Sequence, residues 1–159
     1  MIKDSGSRTE FESGAVRDIQ KGKGRCDLLP LDMLMRLYWD VNDNAAYVFA
    51  CLSDFVDTGK AENLKVALDK FLLVSGWTLE TMLLEVSVHF EEGAEKYSPG
   101  NWQKGINAKN YINSGVRHFL KYLRGDNDER HDRAFVWNIL CCLWIFFVMS
   151  KTEIGFYKV

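Results

Sequence analysis

Proline and paired cysteines are scarce in this chain. Only two prolines occur in its 159 residues, and its four cysteines show no CxxC spacing. Pro30 marks the point where periodic structure begins, and the stretch before it is polar and rich in glycine. We interpret the cysteines as buried thiols in a reducing cytosol: Cys26, Cys51, Cys141 and Cys142.

The chain also lacks an excess of basic residues. Twenty Lys and Arg stand against 22 Asp and Glu, which gives a net charge of −2 and a pI near 5.9. Binding to duplex nucleic acid relies on positive charge, so we expect no such partner. The first residues contain no apolar stretch of the kind found in secretory signals. We therefore expect a cytoplasmic protein, in the host cytoplasm if a phage encodes it.

The longest apolar segment, Ala134 to Ser150, lies near the end of the chain between Arg133 and Lys151. Its length is at the lower limit for a membrane span. The alternative is a helix that is buried on all sides by its own bundle or by a second subunit. Asn138 lies inside the segment and charged residues precede it, which favours the buried helix. We expect no membrane association, and we expect self-association.

Apolar residues recur at helical spacing from residue 31 onward, and sustained alternation of period two is absent. The pattern predicts an all-α single domain over 1–159, whose first 29 residues form a polar extended arm or a set of turns. Residues 31–56 form either two helices or one interrupted at Asn42–Asn44. Further helices are predicted over 64–72, 79–97, 111–123 and 129–149. Residues 31–78 show core periodicity and carry no expected catalytic role.

Two acidic clusters stand out. Glu91, Glu92 and Glu95 fall within about 100° of arc on one predicted helix, and Glu129 and Asp132 are spaced i, i+3 in the first turn of the last one. If the two helices pack side by side, their carboxylates converge into a ligand set that suits Mg²⁺ or Mn²⁺. Such ions commonly act on phosphates. The other interpretation is a solvated charged face on each helix.

Other polar residues follow the first acidic cluster and could contact a substrate. Lysine can neutralise a phosphate, asparagine can hydrogen-bond a base or ribose, and tryptophan can stack on a base. The alternatives are an exposed loop with a tryptophan in the core, structural salt bridges, and a buried hydrogen bond for the asparagine of the apolar segment. The candidates are Lys96, Asn101, Trp102, Lys104, Arg117, His118, Arg124 and Asn138.

The pattern Glu91-Glu92-x-x-Glu95 followed by Glu129-x-x-Asp132 resembles the EExxE…ExxD signature of the all-α, MazG-like nucleoside triphosphate pyrophosphohydrolases. Segments 5–30, 83–106 and 111–138 resemble, more specifically, the phage and bacterial dATP/dGTP diphosphohydrolase family. The resemblance implies a helical bundle, usually oligomeric, that uses Mg²⁺ to cleave a (deoxy)nucleoside triphosphate into monophosphate and pyrophosphate.

The same resemblance implies roles for individual residues. It favours Glu92, Glu95, Glu129 and Asp132 as metal ligands, with Glu91 and Asp128 as alternates or as partners of the ligands. Glu91 is also a candidate to take a proton from the attacking water. In the arm, it implies that basic residues fold over the active site or a neighbouring subunit; the alternative is an arm that is disordered without ligand. These residues are Arg17, Lys21, Lys23 and Arg25.

Two other functions remain open at this point. His131-Asp132, with His118 upstream, is reminiscent of metal-dependent HD phosphohydrolases, although the further aspartate that those enzymes need is absent after residue 132. A helical interaction protein whose acidic residues only face solvent is the non-enzymatic alternative. It predicts neither turnover nor an effect of Mg²⁺ on stability.

Overall fold

The structure, a computed structural model, describes residues 5–149. Six α-helices dominate these residues, so the predicted all-α class is confirmed. They are α1 (Leu31–Tyr38), α2 (Asp43–Thr58), α3 (Glu62–Ser75), α4 (Leu79–Tyr97), α5 (Ala108–Arg124) and α6 (His131–Trp144). Short 3-10 helices span Cys26–Leu28 and Asn101–Lys104, and a π-helical turn spans Ile145–Met149.

Local signals in the sequence set the ends of the helices. The Asn42 side chain accepts a hydrogen bond from the Ala45 backbone N–H at 3.0 Å, and this N-cap separates α1 from α2. Thr78 caps the start of α4 in the same way. Gly76 and Gly125 end α3 and α5 in the left-handed conformation that glycine adopts without strain. The region 31–56 is therefore two helices.

The last helix begins later than the sequence pattern predicts. It starts at His131 and not at Glu129, which lies in a bend. The bend is held because the Asp128 carboxylate contacts His131 Nε2 at 2.7 Å, while the His131 backbone N–H donates to the Glu129 carbonyl. Glu129 and Asp132 consequently do not share a helical turn, and the prediction that they do is wrong.

The helices pack around one connected cluster of buried side chains. Phe71 from α3, Phe119 from α5 and Phe135 from α6 meet in it, with ring centroids 4.8 Å apart for Phe71 and Phe135 and 4.9 Å for Phe119 and Phe135. Helices α5 and α6 approach closely at Gly115, where an added Cβ would lie 3.3 Å from Ile139 Cδ1. This close contact fixes how α5 faces α6.

The apolar end of the chain is largely part of this core. By length and composition the segment His131–Val148 could cross a membrane, but half of it is buried inside the subunit. Cys141 and Cys142 are buried in it as free thiols, as predicted, and Cys51 is also buried and free. Cys26 is free but only partly buried, so the prediction of a buried thiol is wrong there. Ser150 and Lys151, which end the predicted apolar segment, lie outside the described residues.

The N-terminal arm is folded against the helices. It forms an antiparallel hairpin of β1 (Arg8–Glu10) and β2 (Val16–Asp18), in which Thr9 pairs with Arg17. Ala15 is fully buried, and Arg17 and Asp18 are about nine-tenths buried. Within the described residues the arm is therefore a packed element that brings charged side chains to the helices.

Candidate functional site

A cleft of about 400 Å³ opens between β2, the C-terminal half of α4, the middle of α5 and the bend before α6. Helical spacing explains how each helix supplies several lining residues, because positions three, four and seven apart share a face. From α4 these are His89, Gly93, Lys96 and Tyr97, and from α5 they are Ser114, Arg117, His118 and Lys121. Trp137 and Asn138 of α6 complete the wall.

Positive charge is concentrated in this cleft. Five cationic side chains line it, against three carboxylates, although the chain as a whole has a net charge of −2. The cations are Arg17, Lys23, Lys96, Arg117 and Lys121, and the carboxylates belong to Asp18, Asp128 and Glu129. Clefts lined by an excess of one charge attract ligands of the opposite charge. The cleft is therefore suited to an anion.

Histidine and carboxylate side chains meet at one end of the cleft. His118 Nδ1 lies 3.0 Å from His131 Nδ1, and His131 Nε2 lies 2.7 Å from Asp128 Oδ1. One ligand atom from each of His118, Glu129 and His131 falls within 4.8 Å of the others. A second group with the same spacing consists of Asp126, Asp128 and His131. Both are arrangements that could hold a metal ion.

Burial sets the protonation of this region. Desolvation holds the pKa of His118 well below its usual value, with the nearby Arg117 charge acting in the same direction. Burial raises the pKa of Glu129. At neutral pH His118 is therefore neutral, which is the form in which histidine binds a metal.

The donor set fits a divalent ion. The two imidazoles are borderline ligands and the carboxylate is a hard one, a mixture that a transition metal such as Mn²⁺ accepts, whereas Mg²⁺ favours the oxygen atoms of Glu129 and Asp128. Glu129 lies within reach of the two imidazoles because the bend, and not a helix, carries it. The late start of α6 therefore builds this part of the site.

Arg17 is the most deeply placed cation of the cleft. Its guanidinium carbon lies 4.9 Å from the Tyr111 ring centroid and 5.7 Å from that of Trp137, and its Nη2 donates to Asn138 Oδ1 at 2.5 Å. Among the described residues no hydrogen-bond partner faces its buried Nη1. Desolvation by burial lowers its pKa. A buried arginine with one nitrogen unpaired is costly and calls for an explanation.

Asp18 organises the neighbouring lysines. Its Oδ2 lies 2.8 Å from Lys23 Nζ and 3.9 Å from Lys96 Nζ, and its backbone N–H donates to the Tyr97 hydroxyl at 3.0 Å. Burial alone would raise the pKa of Asp18, but the hydrogen bonds from Lys23 and Ser5 outweigh it, so the pKa is lowered. Asp18 is thus an anion that holds two lysine ammonium groups at the cleft.

Half of the residues singled out from the sequence line this cleft. The structure brings together Arg17, Lys23, Lys96, Asn101, Arg117, His118, Asp128, Glu129 and Asn138. Asn101 and Asn138 are both buried. They support the hairpin, since Asn101 hydrogen-bonds the Val16 backbone and Asn138 accepts from Arg17.

Of the acidic cluster on α4, Glu91 borders a second hollow that adjoins the cleft. None of Glu91, Glu92 and Glu95 is among the described residues that line the cleft, and neither group of metal-ligating atoms includes them. Asp132 is also outside both groups, and its carboxylate pairs with Arg130, 2.8 Å from Nη2. Among residues 5–149, neither group of ligand atoms within 4.8 Å of one another joins the two acidic clusters. Their role as metal ligands stays a prediction.

Four further candidates lie outside the cleft. Trp102 packs between Phe90 and Trp144, with centroids at 5.3 and 5.0 Å, so its ring is part of the core. Lys104 is exposed, and its Nζ lies 3.5 Å from the Gly14 carbonyl. The other two are arginines that pair with aspartates two residues away: Arg25 with Asp27 and Arg124 with Asp126.

Sequence reasoning missed Asp18 and His89 as lining residues, and it considered His131 as a ligand only for the HD-type alternative. His89 lies seven residues after Met82 and three after Val86, which are buried positions of the same stripe. A polar residue on a buried stripe is the signal that could have identified it. His131 and Asn138 are likewise seven residues apart on α6 and both buried.

Comparison with known proteins gives one match. The family model described as dATP/dGTP diphosphohydrolase, N-terminal, matches residues 58–154, which is more than half of the chain. The matched range contains α3 to α6, including the bend with Asp128 and Glu129, whereas the hairpin that carries Arg17 precedes it. No curated protein matches the chain, and no solved structure does.

Proposed function

Because the chain belongs to the dATP/dGTP diphosphohydrolase family, we propose that it hydrolyses a (deoxy)nucleoside triphosphate to the monophosphate and pyrophosphate. The expected substrates are dATP and dGTP, and the expected cofactor is Mg²⁺ or Mn²⁺. The observation that supports this best is the cleft itself, which places an excess of cationic side chains beside a cluster of histidine and carboxylate ligand atoms.

The cationic side of the cleft would bind the phosphates. Arg117 is held by hydrogen bonds to Ser114 Oγ at 3.1 Å and to Gln20 Oε1 at 3.4 Å, so its guanidinium is positioned before substrate binds. Lys96 and Lys23 are positioned by Asp18. Side chains that are held in place in this way lose little entropy when they bind a ligand.

The divalent ion would be held by His118, Glu129 and His131, with Asp128 fixing the orientation of the His131 ring through its 2.7 Å contact. When bound, such an ion polarises phosphoryl oxygens and activates water. This ligand set shares Glu129 with the set expected from the sequence and replaces the others with imidazoles. The mixed donors make Mn²⁺ as suitable as Mg²⁺.

In the proposed reaction a water oxygen bonds to the α phosphorus. The bond from that phosphorus to the oxygen that bridges to the β phosphorus breaks, and pyrophosphate leaves with its electron pair. The water gives its proton to a basic group of the cleft. Glu91, the base expected from the sequence, does not line the cleft.

An adjoining hollow of about 310 Å³ would take the base and sugar. It shares Gly93, Tyr97, Asn101 and Trp137 with the cleft, and Trp102 also lines it. Aromatic rings that border a polar cleft are typical of sites that stack a nucleobase. In this arrangement the Trp102 ring borders the hollow from the side of the core, and Trp137 borders both the hollow and the cleft.

The geometry does not favour an HD-type triphosphohydrolase. In that alternative Asp132 would join His131 as a ligand, but its carboxylate pairs with Arg130 and belongs to neither group of ligand atoms among residues 5–149. An interaction protein without activity would not need a cleft that is lined by buried histidine and arginine side chains.

We also propose that the protein acts in the cytoplasm and self-associates through exposed apolar side chains such as Leu84, which is 72% exposed.

The direct test is to incubate the protein with each dNTP and with Mg²⁺ or Mn²⁺, and to resolve the products. We expect dNMP and pyrophosphate. Nucleoside and inorganic triphosphate would instead indicate the HD-type reaction, and absence of turnover with every nucleotide would leave the interaction protein. A matched pair of variants, Glu129→Gln in the cleft and Glu62→Gln at the start of α3, separates loss of the site from loss of surface charge.

A further inference from the structure

The buried guanidinium of Arg17 pairs with no carboxylate among residues 5–149. After burial itself, the groups that affect its pKa most are Tyr111, Cys141, Arg117 and Tyr97, and none of them is a carboxylate. Asp18, the next residue, has its side chain paired with Lys23 and Lys96. Arg17 therefore keeps a positive charge inside the protein with one neutral acceptor, Asn138, and an unpaired Nη1.

The surroundings hold this side chain in one place. The rings of Tyr111 and Trp137 contact the guanidinium from α5 and α6, and Asn138 fixes Nη2. At the backbone, the Val16 N–H donates to Asn101 Oδ1 and the Val16 carbonyl accepts from Asn101 Nδ2, both at 2.8 Å. Three separate elements thus position an arginine that forms no ion pair with any of residues 5–149. Such an arrangement is typical of a binding residue and costly for a structural one.

From these contacts we propose that Arg17 is a binding residue for a phosphoryl group of a polyphosphate chain, and that the N-terminal hairpin supplies it to the cleft. The anion is a phosphoryl group because Arg17 lies among Arg117, Lys96 and Lys23, and no single carboxylate would occupy that many cations. Guanidinium binds phosphate with two parallel hydrogen bonds, which would satisfy Nη1. This inference deepens the proposed function and rests on it for the identity of the substrate.

Inorganic tripolyphosphate is the probe. It has the phosphate chain of a nucleoside triphosphate but no base or sugar, and it has no α phosphorus bonded to a nucleoside at which turnover could occur. Its affinity is measured by calorimetry without divalent metal and at constant ionic strength, and its effect on thermal unfolding is measured in parallel. The variant is Arg17→Met, and the matched control is Arg36→Met, which removes an exposed arginine of α1. We expect tripolyphosphate to stabilise the wild-type protein and the control equally.

For Arg17→Met we expect affinity to fall by about 10- to 100-fold, the range of a lost charged hydrogen-bonding pair. Without ligand its melting temperature should be equal to or above that of the wild type, because an uncompensated buried charge is gone. Unchanged affinity for tripolyphosphate would overturn the proposal. If Arg17→Met does not fold, Arg17→Lys decides: about tenfold weaker binding supports the proposal, since lysine lacks the planar fork, and unchanged binding overturns it.

The assay of dNTP hydrolysis separates this inference from the proposed function. Binding of tripolyphosphate through Arg17 without hydrolysis of any dNTP would refute the function and keep the binding site. Hydrolysis with the same KM and kcat in wild type and Arg17→Met would refute the role of Arg17 and keep the function. Absence of both binding and hydrolysis in the wild type would refute both.

Discussion

Asn101 and Val16 are joined by two hydrogen bonds of 2.8 Å each, one in each direction, although 85 positions separate them in the chain. The Asn101 amide thereby takes the place of a neighbouring β-strand for the strand that carries Arg17. Since Asn101 follows α4 directly, this contact ties the hairpin to the helix that supplies Lys96 and His89. Asn101 itself also lines the cleft.

Asn101→Ala should loosen the hairpin. The Val16 N–H and carbonyl would lose their partners in a buried place, which costs about 1–3 kcal/mol. We expect a matching drop in the free energy of unfolding measured with urea, and faster hydrogen exchange at residues 16–18. Gln103→Ala, at an exposed position of the same loop, is the control and should change neither. Equal behaviour of the two variants would show that Asn101 does not hold the hairpin.

Glu129→Gln should remove activity with little effect on stability. The amide keeps the shape of the side chain but loses the charge that a divalent ion needs. We expect activity to fall at least about 100-fold, because that is the upper end of the loss seen when a residue that only supports a metal ligand is replaced. Binding of Mn²⁺, followed by calorimetry, should weaken in parallel. Glu62→Gln should keep both properties, and normal Mn²⁺ binding by Glu129→Gln would exclude Glu129 as a ligand.

Stability should fall as the pH drops below neutral, in part because of His89. Burial is the main cause that lowers the pKa of His89 from 6.5 to about 4 in the folded protein. Below pH 6.5 the unfolded chain binds a proton that the folded protein refuses, so stability is lost between pH 6.5 and about 4. At 1.36 kcal/mol per pKa unit this amounts to roughly 3 kcal/mol.

Urea unfolding at a series of pH values measures this loss. The wild type should become less stable from pH 6.5 downward, and His89→Gln should lose less over the same interval, since glutamine does not titrate. Burial also lowers the pKa of His118, and this shift reduces stability at low pH in the same way as that of His89. A smaller decline should therefore remain in His89→Gln. Identical pH curves for the two proteins would contradict the buried neutral state of His89.

Two glycines in helices should respond in opposite ways. An alanine Cβ at Gly93 would meet no atom within 4 Å, so Gly93→Ala should stabilise the protein by about 0.5–1 kcal/mol through helix propensity. At Gly115 the added carbon would lie 3.3 Å from Ile139 Cδ1 and 3.6 Å from Asn138 Cβ. The larger Gly115→Leu should destabilise by about 1–3 kcal/mol, because α5 and α6 must separate.

Thermal unfolding of both variants checks the pair. Gly93 also lines the cleft, so Gly93→Ala is expected to raise the KM for a dNTP while it raises the melting temperature. A melting temperature of Gly115→Leu equal to that of the wild type would show that the close approach of α5 and α6 is not needed.

The sequence alone determined the class of fold, both ends of α4 and the approximate limits of the other helices. Periodic apolar residues, the caps Asn42 and Thr78, and the terminal glycines Gly76 and Gly125 act within a few residues of each other, so their effect can be recognised without tertiary contacts. The family was also recognisable, because the acidic clusters and the segments around them lie close together in the chain, and the family match over 58–154 confirms it.

Only the tertiary structure decided which charged residues share a cleft. Spacing along α4 shows that Glu91 and Glu95 are neighbours, but not which face of the helix meets α5. The structure turns His89 and Lys96 to the cleft instead, and it joins Arg17 to Asn138 across 121 positions of the chain. Such contacts depend on how whole helices pack, and no local pattern of residues records them.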